Sequence, residues 1–319
     1  MVVLWVLAIV VGVVLIVWGA ETFAEHLGAA AVRLRISSFA LALLLAGAEP
    51  EELATVVTAA LRDSPAIAFG DVIGANIVIC LVALGTGALI APLPFGKRVM
   101  RYAIFAVPIG LIATAFVWDG TVDRVEGGIL IGLYVLYVAS IWWAERQPPA
   151  LGETGELAEA QEELEARGGR SWMGKDLFLV MTGVVAMIVG SILLVEAVRQ
   201  ISQVEETQTK LALTLVGFAT AFELVVLAWS TARRGATEAA IAGVVGSFAY
   251  NVTMTLGAAA IARPLTIVDA SLLHLPFLVM MGALGLVIAF ALTTGELGKF
   301  AGAILLAAYP IFLIAVLIH

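Results

Sequence analysis

Charge is what this sequence has least of. Asp, Glu, Lys and Arg together make up 13% of its 319 residues, about half the share found in soluble globular domains. A water-soluble surface cannot be built from so little charge, so a soluble domain of this length is excluded. Cysteine occurs once, as Cys80 inside an apolar run, which rules out a disulfide framework within one chain. Histidine occurs three times, and His26 and His274 offer no paired spacing for a transition metal. No Ser/His or Cys/His constellation points to an enzyme. The basic residues are scattered between apolar segments and form no stripe, so nucleic acid is not a partner. No basic region precedes the first apolar run, Val2 to Trp18, as a secretory signal would require. That run reads as a retained helix.

Apolar residues are abundant instead: 62% of the chain, with a mean hydropathy of +1.06. They fall into ten runs, each long enough to cross a hydrocarbon core at about 20 residues per helix. The runs are 2–32, 37–61, 65–91, 101–118, 124–144, 173–199, 211–231, 236–262, 268–292 and 298–318. The fold class expected is an all-α membrane protein with ten transmembrane helices. Its neighbours are membrane lipids, and no protein partner is evident. Trp142 and Trp143, followed by Glu145 and Arg146, read as an interfacial aromatic belt.

The long hydrophilic stretch lies between the fifth and sixth runs. It starts at Pro148-Pro149 and holds six glutamates with no basic residue between Glu153 and Glu165. It reads as a solvated linker, and it divides the chain into a first repeat at 1–144, an acidic linker at 145–172 and a second repeat at 173–319. Basic residues decide orientation. With the N-terminus outside, 12 of the 17 Lys and Arg residues fall on the cytoplasmic side. The plasma membrane, with a cytoplasmic linker, is the location expected. Five helices per half then place the second half upside down relative to the first.

The halves also resemble each other. Leu41 to Gly47 lies against Leu213 to Ala219, and Gly74, Gly85 and Pro92-Leu93 lie against Gly246, Gly257 and Pro264-Leu265. Between these blocks Glu52-Leu53 meets Glu223-Leu224 with a slip of one residue. Gly19 and Glu25 match Gly190 and Glu196 in spacing. An odd helix count per half together with internal similarity predicts two inverted-topology five-helix repeats. In secondary transporters so built, the site lies at the midplane where the repeats meet.

Each charge inside hydrocarbon costs a few kcal/mol or more, so it requires a reason. The second run carries Gly47-Ala-Glu49-Pro50-Glu51-Glu52 near its middle, and Pro50 predicts a kink that frees backbone carbonyls. Carboxylates with freed carbonyls are the ligand set of a hard cation, which takes about six to eight oxygens in the case of Ca²⁺. The seventh run carries Thr220 and Glu223, one acid to meet those of the other half. Paired carboxylates in a low-dielectric site repel unless a cation or a proton lies between them. The glycines of the third and eighth runs permit close helix approach. Asn76, Ser247 and Asn251 beside them are candidate ligands or interhelical hydrogen-bond partners. Glu25 and Glu196 read as helix-end carboxylates or access-path residues, and Asp71 as a helix cap.

At these residues the chain resembles the cation/Ca²⁺ exchanger superfamily, best known from sodium/calcium exchangers. That family carries Gly-Thr-Ser-x-Pro-Glu-Leu in helices two and seven, and Gly-Asn-x-x-Gly-Ser-Asn in helices three and eight. Gly47 to Thr55 and Ala219 to Leu224 are similar to the first signature, while Gly70 to Asn76 and Gly246 to Asn251 are similar to the second. The resemblance implies a secondary active cation antiporter that exchanges Ca²⁺, or another divalent cation, for Na⁺ or H⁺ by alternating access. It marks Glu52 and Glu223 as Ca²⁺ ligands, with Glu49, Glu51, Asn76, Thr220, Ser247 and Asn251 as secondary or coupling-ion ligands. A channel or ion sensor on the same fold is the alternative. Ala48, Glu49, Ala75, Ile79 and Ala221 stand where the family has hydroxyls and amides. Neutral Na⁺ ligands are lost there while acids are gained at Glu49 and Glu51, which favours protons as the coupling ion.

The orientation is testable. A cysteine replacing Glu159 is expected to resist an impermeant thiol reagent applied to intact cells. Ready labelling from outside would overturn the assignment.

Overall fold

The computed structural model describes residues 2–33, 49–145, 173–234 and 237–318. All but the first residue of the acidic linker at 145–172, and the first half of the expected second helix, lie outside these residues. Among the described residues, apart from four two-residue strands, the regular structure is helical. The helices are α1 (Val2–Arg33), α2 (Pro50–Leu61), α3 (Pro65–Ile90), α4 (Lys97–Val117), α5 (Arg124–Glu145), α6 (Met173–Ile201), α7 (Glu205–Thr220) and α8 (Phe222–Arg234). They continue with α9, which starts as Thr237–Tyr250 and runs on through Leu256–Ala262, then α10 (Ser271–Thr294) and α11 (Lys299–Ile318). Eight spans among the described residues are long and apolar enough to cross a membrane, and the bent pair α7–α8 makes a ninth.

The expected seventh helix, 211–231, is corrected in form. It starts earlier, at Glu205, and breaks at Ala221, where the axis bends by 41°. Pro50 also acts differently from the expected kink. It occupies the first turn of α2, where a missing N–H interrupts no ladder and the fixed φ suits the helix.

α3 and α9 hold the centre. The hydrophobic windows of Pro65–Ile90 and Gly243–Ala262 are 94% and 83% buried, against 28% to 44% for the other six spans. A helix apolar on every side and buried on every side is a core helix, shielded from lipid by its neighbours. Both central helices widen into one π turn, at Ile79–Ala83 and at Asn251–Thr255. Such turns concentrate at functional sites, because they rotate the following side chains out of helical register. A further π turn, Ala212–Val216, lies in α7.

Short antiparallel ribbons close the two ends. β1 (Leu93–Pro94), after α3, pairs with β4 (Glu296–Leu297), between α10 and α11. β2 (Thr121–Val122), between α4 and α5, pairs with β3 (Leu265–Thr266), after α9. Each ribbon is extended by a bond to a glycine carbonyl: Phe95 N–H donates to Gly295 and Ile267 N–H to Gly120. Both glycines are left-handed, at φ +75° and +76°, a conformation costly for any side chain with a Cβ.

Lipid tails are as apolar as the helices, so no hydrophobic force drives helix association, and close packing must do so. α1 and α6 cross on glycines. A Cβ on Gly12 would lie 2.8 Å from the Gly190 carbonyl oxygen, and one on Gly183 would lie 2.6 Å from that of Gly19. Gly74 of α3 is pressed against the Leu213 backbone of α7 in the same way. A measurable contrast follows. Gly12→Ala is expected to lower stability by about 1–3 kcal/mol, as overpacking does. Gly128 in α5 meets nothing within 4 Å, so Gly128→Ala is expected to be neutral or to stabilise by about 0.5–1 kcal/mol. Thermal melting of the purified protein in detergent reads both.

Candidate ion-binding site

Helix starts and breaks bring the acids to the centre. α2 begins at Pro50 and α8 at Phe222, so Glu51 and Glu223 each stand second in their helix. The positive end of a helix dipole and its free N–H groups favour negative charge there. By helix position Glu51 is therefore the residue corresponding to Glu223, and Glu52 corresponds to Leu224. Glu49 precedes α2 in a non-helical conformation, at φ −104° and ψ 84°. Its carbonyl oxygen accepts the Leu53 N–H at 3.0 Å and begins the ladder.

Glu49, Glu51, Glu52 and Asp71 are all buried. The Glu49 carboxyl faces that of Glu51 and lies within electrostatic reach of Glu52 and Glu223. Glu52 faces Asp71 and the Asn251 amide. Neither oxygen of Glu52 has a hydrogen bond of good geometry among the described residues. Among the same residues, the ion pairs all lie away from Glu49, Glu52 and Asp71. Acids of both halves are thus gathered in one place without paired basic side chains on these three. So much negative charge in low dielectric requires a cation or protons for neutrality.

The polar neutral residues surround the acids. Ser247 Oγ donates to Glu49 Oε1 at 2.5 Å, the short separation typical of a bond to a carboxylate. Thr220 Oγ1, at the break between α7 and α8, donates to Asp71 Oδ1 at 2.8 Å. Asn251 Nδ2 donates to Asn76 Oδ1 at 3.4 Å, joining the central helices. Asn76 Nδ2 in turn lies 3.4 Å from the Phe248 carbonyl and 3.7 Å from the Met280 sulfur. Glu49, Glu51, Glu52, Asn76, Thr220, Glu223, Ser247 and Asn251 therefore belong to one region. Among the described residues no three His, Cys, Asp or Glu side chains converge as a preformed metal cage. Ligation of a cation here would draw on hydroxyl and amide oxygens, with rotation of the acids.

Two residues of this region were not read as functional from the sequence. Asp71 was expected as a cap, but α3 starts after Ser64, so Asp71 lies a turn and a half inside the helix, fully buried. The missing signal was its partner, which comes from the other half. Tyr250 is buried beside Glu49, Glu51 and Glu52 and packs edge-on against Tyr134 at 5.3 Å. Glu196, by contrast, sits at a helix end with Arg62 at 3.7 Å and Arg199 at 3.2 Å. The Glu25 side chain lies outside what is described.

A family model described as sodium/calcium exchanger protein matches residues 4–143 and 175–318, nearly the whole chain. The chain belongs to the sodium/calcium exchanger family. It is a membrane-embedded cation antiporter and not an enzyme. Among relatives of this exchanger, CaxA of Alkalimonas amylolytica is 26% identical over 309 residues, covering 94% of this chain and 95% of the relative. The sodium/calcium exchanger MaX1 of Methanosarcina acetivorans is 23% identical over 346 residues, covering 97% of each. A solved structure of the sodium-calcium exchanger NCX_Mj superimposes with a TM-score of 0.62 at 20% identity, over 98% of both chains. That likeness shows the fold.

Thr220 gives a test of the geometry. Asp71 Oδ2 has no partner among the described residues, so Thr220→Val leaves both buried oxygens of Asp71 without a donor. The variant is expected to lose roughly 1–3 kcal/mol of stability, the cost of stranding a buried polar group. Thr220→Ser should melt close to the wild-type temperature.

Proposed function

We propose that this exchanger moves Ca²⁺, or a similar divalent cation, against protons across the plasma membrane. The observation that carries the reading is the gathering of Glu49, Glu51, Glu52, Asp71 and Glu223, four of them buried, with no ion pair to Glu49, Glu52 or Asp71 among the described residues. Glu52 and Glu223 are proposed to ligate the divalent ion. Glu51 joins them as the residue that matches Glu223 in helix position. Asn76, Thr220, Ser247 and Asn251 supply neutral oxygens. Glu49 and Glu51, facing each other, are the groups proposed to take up protons as the divalent ion leaves, so that the site crosses with little net charge. Na⁺ needs several neutral oxygens at fixed distances, and Ala48, Ala75, Ile79 and Ala221 supply none from their side chains.

Alternating access follows if the halves are inverted repeats, at 1–144 and 173–319, joined by the linker at 145–172. The elements support this reading. Pro65–Val78, Ile79–Ala83, Leu84–Ile90 and Leu93–Pro94 recur in order as Thr237–Tyr250, Asn251–Thr255, Leu256–Ala262 and Leu265–Thr266. The ribbons support the inversion. α4, at 21 residues and about 1.5 Å per residue, carries β2 to the face opposite β1. Because β3 pairs with β2, α9 ends on the face opposite the end of α3. The basic-residue bias places the N-terminus outside and the linker in the cytoplasm. The E. coli relative YrbG, 24% identical over 263 residues, is named an inner membrane protein.

The purified protein in sealed liposomes distinguishes the outcomes. An outward proton gradient is expected to drive uptake of radioactive calcium, while an outward Na⁺ gradient alone should not. Glu52→Gln and Glu223→Gln should each reduce the uptake sharply. Uptake that needs no counter-ion gradient would make the protein a channel, and uptake driven by Na⁺ with no proton movement would overturn the coupling. Divalent transport surviving in the double glutamine variant would overturn the site.

A further inference from the structure

α6 is apolar through its middle, with one buried hydroxyl. Ser191 is 0% exposed, and it follows Gly190, which packs on Gly12 of α1. A serine inside a helix commonly satisfies its hydroxyl on the carbonyl four residues back. Ser191 instead points across to α2, where its Oγ lies 3.1 Å from Thr55 Oγ1. Thr55 is also fully buried, and its hydroxyl donates to the Glu51 carbonyl oxygen at 2.9 Å. A threonine hydroxyl has one hydrogen. With that hydrogen on Glu51, the Ser191 hydroxyl is the donor to Thr55.

We propose that Ser191 is a positioning residue of the ion site, acting through Thr55 on the first turn of α2 that carries Glu51 and Glu52. The proposal rests on the reading of those acids as cation ligands. The chain of donors runs one way, from Ser191 to Thr55 to the Glu51 carbonyl, and it ties the acid-bearing turn to a helix that contributes no other group to the site. Ligand-orienting partners one bond behind a metal ligand strongly affect affinity, and a fully buried hydroxyl pair holds its geometry because neither group has water as an alternative. The link is also one-sided. At the spacing that relates Gly12 to Gly183 and Gly19 to Gly190, Ser191 corresponds to Ala20. At the spacing that relates Pro50 to Phe222, Thr55 corresponds to Leu227. The arm carrying Glu223 has no such pair, so the link acts on the first half alone.

Two arms test it. In liposome transport, Ser191→Ala is expected to raise the KM for the divalent cation roughly tenfold with little change in the maximal rate, and Ser191→Thr should restore it. Thr55→Val should raise KM at least as much, and adding Ser191→Ala to it should change nothing further. A role in packing alone would lower the melting temperature and leave KM unmoved, and that result would overturn the proposal. The second arm does not depend on which cation is carried. Melting temperatures of Ser191→Ala, Glu51→Gln and the double variant are measured without added cation. Non-additive shifts show that Ser191 reaches the acid-bearing turn, and strictly additive shifts refute it even if the transported ion proves to be other than a divalent. Absence of divalent transport in the wild type, with non-additive melting, would overturn the functional reading and leave the positioning role standing.

Discussion

Burying a carboxylate away from water costs several kcal/mol even after the protein relaxes around it, and the centre of this chain gathers five acids. That expense organises the rest of the architecture. The acids cannot face lipid, so two helices that would each make an ordinary span, α3 and α9, are enclosed by the others. Enclosure leaves few polar atoms to answer the acids. The structure therefore supplies Ser247 to Glu49 and Thr220 to Asp71. Helix ends do part of the same work. α2 and α8 start at the site and present their N-terminal dipoles to Glu51 and Glu223, which a continuous helix crossing the membrane would not do.

Close packing follows from the same enclosure. Side chains that point inward to carry polar atoms cannot also fill space between helices, so backbones approach one another directly. Gly74 lies against the Leu213 backbone, and Gly217 against Gly74 and Ala75. These contacts bring the break at Thr220–Phe222 against α3 and place the Thr220 hydroxyl on Asp71. Substituting either glycine would displace the helix that carries the donor, so packing and site chemistry are not separable here. At the periphery, α1 and α6 repeat the close approach through Gly12, Gly19, Gly183 and Gly190, away from the acids except where Ser191 touches Thr55.

Much of this was legible in the sequence because hydrocarbon makes charge conspicuous. Glu49, Glu51, Glu52 and Glu223 stand out in apolar runs, and the structure gathers them. Helix existence was equally clear, since a run of about twenty apolar residues has few other fates. What was hidden shares one physical feature: it depends on a partner distant in the chain. Asp71 reads as a cap until Thr220, 149 residues later, is seen to donate to it. Ser191 reads as filler until Thr55 is found beside it. The two-residue ribbons have no periodicity to detect, being shorter than one strand repeat. Pro50 reads as a kink inside an apolar run, and the non-helical backbone of Glu49 makes it a helix start instead. The same helix starts align Glu51 with Glu223 without the one-residue slip that sequence matching introduced, because a matched Glu-Leu pair outweighed a helix boundary that matching does not see.

The two halves differ most at the central cluster of acids. The acids are concentrated in the first, at Glu49, Glu51, Glu52 and Asp71, whereas the second contributes Glu223 with Thr220, Ser247 and Asn251. Under exact repetition each half would hold like groups, and hydrogen bonds would cross the centre in symmetric pairs. Here they cross as acid to hydroxyl: Glu49 with Ser247, and Asp71 with Thr220. At these two acids the second half acts as donor to the first, so separating them strands carboxylate acceptors on one side and hydroxyl donors on the other. A buried carboxylate that loses its hydroxyl donor must find another neutralising partner, and within reach these are a proton or a cation. For the exchange proposed above, this division of acids from donors would couple the relative position of the halves to what the acids hold, which is the physical requirement for exchange without leak.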